Sequence, residues 1–260
     1  MTQAPTFLSD EQLERYARHI VLKEIGGAGQ ARLLSADVAV IGAGGIGSPA
    51  ILYLAAAGVG TIRVIDDDEV ALSNLQRQVL FGTGDIGLPK AEGAMAAVAR
   101  LNPDVKLIPI NARIDADNAA LMLREADVVL DGCDSFATRL AVADTAQRLR
   151  IPLVSAAVGP FEGQLATYRG WEDDRPCYRC LVGSPEDAPD RNCAETGVIG
   201  ALTGVMGSLA ALEVVRTLVP FGVDMAGKLL LADLLSMRFR TLTVAKDPAC
   251  PGCAAELCAN

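Results

Sequence analysis

A run of glycines set between an apolar strand and an apolar helix constrains this chain more than any other feature. Gly42-Ala43-Gly44-Gly45-Ile46-Gly47 follows a strand over residues 38–41 and opens a helical stretch over 46–57 that stops at Gly58. Glycines permit the tight turn and let the backbone approach a ligand closely, while the helix N-terminus offers unpaired N–H groups and partial positive charge to phosphate. Asp66 lies nineteen positions beyond Gly47, at the end of a second strand over 61–65. A carboxylate there accepts hydrogen bonds from ribose hydroxyls. By itself the pattern fits NAD, another nucleotide, or a tight turn without a ligand.

The strand-then-helix unit recurs downstream. Residues 89–101, 117–124 and 138–150 read as helices, and 105–110, 128–130 and 153–158 as strands. Repeats of this kind build a mainly parallel sheet covered on both faces. Upstream, Leu13, Tyr16, Ala17, Ile20 and Val21 give residues 10–23 one apolar helical face behind a Ser9/Asp10 cap, and Gly26, Gly27 and Gly29 are expected to end that helix. After Val158 the pattern changes: residues 164–169 read as an antiparallel strand and 229–244 hold two more, with alternation through Met237, Phe239, Thr241 and Thr243. Residues 183–192, with Pro185 and Pro189, have loop composition and are expected to be mobile. The expected architecture is α/β, a Rossmann-like, mainly parallel sheet extended by antiparallel C-terminal strands, in one domain over residues 1–260.

Composition narrows the function classes. The 260 residues carry 23 Lys and Arg against 32 Asp and Glu, a net charge of −9, the wrong sign for general attraction to nucleic acid or anionic membranes. Neither is an expected partner, so a phosphate ligand must be held by a local pocket. The longest apolar stretch, 198–212, falls short of the ~20 residues a bilayer span needs and contains Gly200, Gly204 and Gly207, so it reads as a buried helix. One histidine, His19, leaves almost nothing for His-based zinc catalysis and a single partner for a Ser or Cys triad. Seven cysteines, behind an N-terminus without the basic start and apolar run of a signal peptide, point to a reducing, cytoplasmic setting.

Residues near the glycine loop argue against hydride chemistry. Arg77 and Lys90 place two cations close to the ribose acid in sequence. A triphosphate uses such groups because charge develops on its oxygens during displacement; a solvated surface is the plainer reading of both side chains. Asp131-Gly132-Cys133-Asp134 puts carboxylates at the carboxyl edge of the sheet, and Asp134 suits Mg2+, which favours one or two carboxylates plus phosphate oxygens. Cys177-Tyr178-Arg179-Cys180 and Cys250-Pro251-Gly252-Cys253 are two C-x-x-C pairs with the spacing of a tetrahedral thiolate site. Four thiolates fill the coordination of zinc, so its role is structural, with redox dithiols or unligated thiols as the alternatives. Cys133 reads as packing, Cys258 as part of a tail, and Cys193 as either a bystander or a nucleophile near a helix N-terminus.

In combination these residues resemble the ThiF/MoeB/HesA adenylyltransferases, relatives of the catalytic domains of ubiquitin-activating enzymes. The resemblance runs from Arg15-Tyr16-Ala17-Arg18 to Cys253 through Gly42-x-Gly44-Gly45-x-Gly47, Asp66-x-Asp68, Ser73-Asn74-Leu75-Gln76-Arg77-Gln78, Pro89-Lys90 and both cysteine pairs, nearest the MoeB type. It implies that ATP and the C-terminal Gly-Gly of a ubiquitin-like sulfur carrier react to an acyl-adenylate and pyrophosphate. By position, Gly42, Gly44, Gly45 and Gly47 form the nucleotide loop, Asp66 binds ribose, Asn74, Arg77 and Lys90 address the phosphates with Asp68 and Gln78 beside them, and Asp134 holds Mg2+. Arg18 matches an arginine that reaches the ATP of the partner subunit, which implies a homodimer with residues 1–34 at the interface. Residues 35–158 are then the nucleotide-binding core and 159–260 the carrier-binding extension with the zinc site.

The chain departs from the family pattern at Ser135, where Asn is common, which predicts a weaker or rearranged hydrogen bond to nucleotide or metal-bound water. Cys193 aligns with a position that in some relatives bonds covalently to the carrier. No rhodanese domain follows residue 260, so a separate donor such as a cysteine desulfurase or a rhodanese is expected to supply sulfur. The resemblance implies Mg-ATP-dependent adenylylation of a MoaD-type carrier for molybdopterin synthesis, with a ThiS-type carrier for thiamine-thiazole synthesis as the alternative. An NAD-dependent oxidoreductase and a non-catalytic scaffold for a ubiquitin-like protein are the rivals from other classes.

Overall fold

The computed structural model describes residues 8–183 and 197–253, so Cys193, Cys258 and most of the loop expected over 183–192 lie outside the described residues. The N-terminal segment differs from the single helix expected. Tyr16 separates α1 (Asp10–Arg15) from α2 (Ala17–Ile20), and Gly26, Gly27 and Gly29 open a further helix, α3 (Gly26–Ser35), instead of ending one. Only Gly29 serves close approach, where a Cβ would lie 2.9 Å from Val219 Cγ1; Gly26 takes a φ of 61° at the helix start and Gly27 faces open space. Tyr16 turns inward to 2% exposure, where its hydroxyl accepts from Asn102 Nδ2 at 2.8 Å.

Five strands run parallel: β1 (Asp37–Ile41), β2 (Thr61–Ile65), β3 (Lys106–Ile110), β4 (Val128–Asp131) and β5 (Leu153–Val158). Three antiparallel strands continue the sheet: β6 (Glu162–Tyr168), β7 (Lys228–Asp233) and β8 (Arg238–Thr243). The order across the sheet is β3-β2-β1-β4-β5-β6-β7-β8, the α/β arrangement the sequence predicts. Successive strand residues feed two cores, as a sheet buried on both faces requires. Val38 and Val40 join the side chains of α4 (Gly47–Ala57), α5 (Lys90–Leu101) and α9 (Gly200–Leu218). Ala39 and Ile41 join those of α6 (Ala119–Leu123), α7 (Phe136–Leu149) and α8 (Tyr178–Val182).

Helix α9 is long and apolar enough to cross a membrane by length and composition alone. Here it is a core helix, as expected of residues 198–212: Leu202, Met206, Ala210 and Val214 are fully buried, against α4 and β5. Its acid Glu213 is buried too, and accepts a hydrogen bond from Thr167 at 2.9 Å.

Asn102 also donates to the Ala55 carbonyl at 2.7 Å and is itself fully buried, so it ties the N-terminal helices to α4. Asn102→Ala leaves the buried Tyr16 hydroxyl without this donor and the Ala55 carbonyl with the Gly58 N–H alone, an expected loss of ~1–3 kcal/mol. Chemical denaturation reads it, and an unchanged midpoint would show that the tie contributes nothing.

Candidate active site

Strand order reverses between β1 and β4, with β2 and β3 on one side and β5 on the other. Open α/β sheets bind ligands outside the carboxyl ends of the strands at such a point. A cavity of about 420 Å3 opens there, a size typical of small-molecule sites. The β1–α4 turn brings Gly42, Gly44 and Gly45 to it, the end of β2 brings Asp66 and Asp68, the segment before α5 brings Asn74, Arg77 and Gln78, and Lys90 and Asp134 complete the wall. Arg18, exposed on α2, is not among its lining residues.

The turn is built for glycine. Gly42 has φ of 85°, and a Cβ on Gly47 would lie 1.9 Å from the Gly42 oxygen, so Gly47 shapes the cradle from behind and is not itself a lining residue. Asp66 braces the turn: Oδ2 accepts from the Ala43 N–H at 2.7 Å and Oδ1 from the Asp68 N–H at 2.9 Å. Burial holds its pKa above the usual aspartate range, against the pull of the Lys90 charge. The Lys90 side chain is 6% exposed and its Nζ lies 2.6 Å from Asp68 Oδ2, which occupies one of the three donors of the ammonium.

Asn74 is committed locally, its Oδ1 accepting from the Ala71 N–H at 3.1 Å, and Arg77 reaches the cavity while donating to the Ser73 carbonyl at 3.1 Å. Gln78 is 3% exposed, and its Oε1 is the one buried side-chain oxygen among the described residues without a hydrogen-bond partner. A buried acceptor left unpaired costs ~1–3 kcal/mol, which a donor on a bound ligand removes. An orphaned acceptor beside a glycine cradle, a ribose-height carboxylate and two cations together fit a nucleoside polyphosphate.

The aspartate that ends β4 and the one that follows it have different fates. Asp131 is 1% exposed, its Oδ2 accepting from Arg139 Nη1 and Ser155 Oγ at 3.1 Å each and its Oδ1 from the Cys133 N–H at 3.1 Å. Arg139 also donates to the carbonyls of Cys133 and Ala156. Asp134 is exposed at the cavity wall, across which Asp66, Asp67 and Asp68 supply further carboxylates. Ser135 caps α7, its Oγ accepting from the Thr138 N–H at 3.4 Å. Serine and asparagine are equivalent caps, so this departure from the family pattern preserves the turn. Burial and the neighbouring Asp131 charge push the Cys133 thiol well up, which suits packing and not nucleophilic attack. Sequence reasoning missed Arg139 and Arg113, which also lines the cavity; neither lies in a motif, and only the folded chain brings them to the edge.

On the far side of α7 the four cysteines meet. Sulfur separations are 3.9 Å for Cys177–Cys180, 3.6 Å for Cys177–Cys250 and 3.5 Å for Cys180–Cys253. A tetrahedron with zinc–sulfur bonds near 2.3 Å has edges of about 3.8 Å, so the cluster is compatible with zinc.

The ThiF family pattern matches residues 16–252. The chain belongs to the ThiF family. It is 47% identical to the SAMP-activating enzyme E1 of Haloferax volcanii, over 95% of this chain and 90% of that one. Against the sulfur carrier protein ThiS adenylyltransferase of Escherichia coli K12 identity is 42%, over 95% and 97%. Against the molybdopterin-synthase adenylyltransferase of the same organism it is 39%, over 95% and 98%. The fold resembles the crystal structure of E. coli MccB with AMPCPP and MccA, with a TM-score of 0.80 at 24% identity over 92% of this chain and 74% of that one.

Cys177→Ser removes one corner of the tetrahedron. The expected result is loss of bound metal and a lower melting temperature, read by metal analysis and calorimetry; unchanged metal content would refute a four-thiolate site.

Proposed function

We propose that this protein uses Mg-ATP to adenylylate the C-terminal glycine carboxylate of a ubiquitin-like sulfur carrier, releasing pyrophosphate. One observation carries the reading: a single cavity at the strand-order reversal gathers the glycine cradle, Asp66, Arg77, Lys90 and the exposed Asp134. The names of the relatives supply the substrate class, and membership of their family sets the oxidoreductase aside.

Phosphates lie over the Gly42–Gly47 turn at the N-terminus of α4, the ribose against Asp66, and a nucleoside donor meets Gln78 Oε1. A terminal carboxyl is ionised near neutral pH, so the carrier needs no general base. Its oxygen attacks the α-phosphorus, the bond to the bridging oxygen breaks, and pyrophosphate leaves while Arg77 and Lys90 offset its growing charge. Asp134 is the residue that would hold Mg2+, which neutralises phosphate oxygens when bound. The four cysteines would hold a structural zinc ion.

Carrier docking falls to the antiparallel extension over 159–260, where Leu235, Met237, Phe239 and Leu242 stand exposed around β8. Leu13, Val21 and Leu22 are exposed on the N-terminal segment, which favours a homodimer through residues 1–34 with Arg18 reaching the partner site. A separate protein then donates sulfur, in the cytoplasm. Identities of 39% and 42% to the MoeB-type and ThiS-directed relatives are near equal; a MoaD-type carrier is our first reading and a ThiS-type carrier the second.

The test is exchange of labelled pyrophosphate into ATP with purified MoaD-type and ThiS-type carriers, each with its Gly-Gly intact or deleted. Exchange that needs an intact carrier tail supports the reading; no exchange with either carrier, while ATP still binds, overturns it. Arg77→Ala or Asp134→Ala should keep the fold and lose two or more orders of magnitude in exchange, ~3 kcal/mol or more. Near-normal rates in both variants would remove those residues from the phosphate site.

Asp66 gives a pH signature. Its folded pKa is raised by burial, and the ribose needs the anion as acceptor. Nucleotide affinity should therefore fall on acidification beginning above the ordinary aspartate range, and Asp66→Asn should flatten that dependence. Calorimetric titration with a non-hydrolysable ATP analogue checks both.

A further inference from the structure

The first cysteine pair carries two residues between its sulfurs, Tyr178 and Arg179, and both attach to α7. Arg179 makes a two-pronged ion pair with Asp144, Nε to Oδ1 and Nη2 to Oδ2 at 2.7 Å each. Such pairs fix orientation as well as distance. Tyr178 is 7% exposed and stands edge-on to Tyr168, with ring centroids 5.5 Å apart, in the core that includes Leu140, Ala143 and Ala146 of α7. The Arg139 charge works against the effect of burial on the Tyr178 phenol. Helix α7 starts at its Ser135 cap, directly after Asp134, and Arg139 in its second turn holds the Cys133 and Ala156 carbonyls.

Helix α8 is five residues long, too short to hold its shape in isolation. It packs between α7 and the turn that carries Cys250 and Cys253. Closing the sulfur ring therefore fixes the two residues that grip α7, and α7 carries the Asp134 turn on its N-terminus. We propose that the four-cysteine cluster sets the position of Asp134 through α7, with Arg179 and Tyr178 as the positioning residues. The proposal rests on the reading of Asp134 as the carboxylate that holds Mg2+. Displacements of an ångström at a reacting centre cost as much as about a hundredfold in rate, so a modest tilt of α7 suffices.

The test compares the full chain with Arg179→Ala, Asp144→Asn, the double variant and Tyr178→Phe. Zinc per chain, amide hydrogen exchange in the peptide over residues 131–140, and carrier-dependent pyrophosphate exchange against Mg2+ concentration are measured for each. The Asp144 variant leaves every residue of the cysteine pairs in place, so it reads the coupling even if Arg179→Ala folds poorly. The expected result is retained zinc, faster amide exchange over 131–140, a higher half-saturating Mg2+ concentration and a fall in kcat of about tenfold. The double variant should be no worse than the worse single variant, because one link is broken either way. Zinc-loaded variants with wild-type amide exchange and Mg2+ dependence would overturn the proposal, and a mere staple role would lower melting temperature while leaving both readouts unmoved. If the wild type shows no carrier-dependent exchange, the adenylylation reading fails, and protection over 131–140 still decides whether the cluster positions the turn.

Discussion

The cavity floor depends on one buried cation. Arg139 is 8% exposed, and a guanidinium so placed is tolerable only when its donors are filled and its charge is matched. Asp131 matches the charge, while Ser155 and the carbonyls of Cys133 and Ala156 take three more of its five donors. These partners come from the end of β4, the middle of β5 and the turn between β4 and α7, so one side chain ties together the wall of the cavity. Breaking a buried pair of this kind typically costs ~3–5 kcal/mol, because the surviving charge is left stranded.

Beyond that tie the sheet changes character. The hairpin from β5 to β6 is short, its Gly159 N–H donating to the Glu162 carbonyl at 2.7 Å, and the three antiparallel strands extend the sheet to β8, which is exposed along its length. An open edge invites pairing with another chain. Arg238 and Arg240 on that edge set positive charge against the net −9 of the chain, which favours a partner selected for both shape and sign.

What the sequence made legible was chemistry confined to short spans. The glycine loop, the acid after β2 and the two cysteine pairs each carry their reason in a few neighbouring residues, and strand-helix alternation then dictates where they converge. Gly29 was misleading because a glycine that ends a helix and one that lets a helix approach its neighbour look alike until Val219, far along the chain, is in place. The meaning of Ser135 needed its cap geometry, and the pairing of Lys90 with Asp68 and the orphaned Gln78 oxygen needed three dimensions. Arg139 was silent for the same reason: an arginine on a helix reads as surface until both faces of the sheet are covered.

The sulfur cluster also has a topological side. Cys177 and Cys250 are 73 positions apart, and the loop they close contains α9, β7 and β8. Loop closure costs entropy that grows only slowly with length, yet contacts across so long a span form late in folding. A cation held by all four sulfurs would bind the finished fold more tightly than the unfolded chain, so the stability of the antiparallel half would rise with free metal concentration. The antiparallel strands would thereby be coupled to the metal supply of the compartment in which the chain is made.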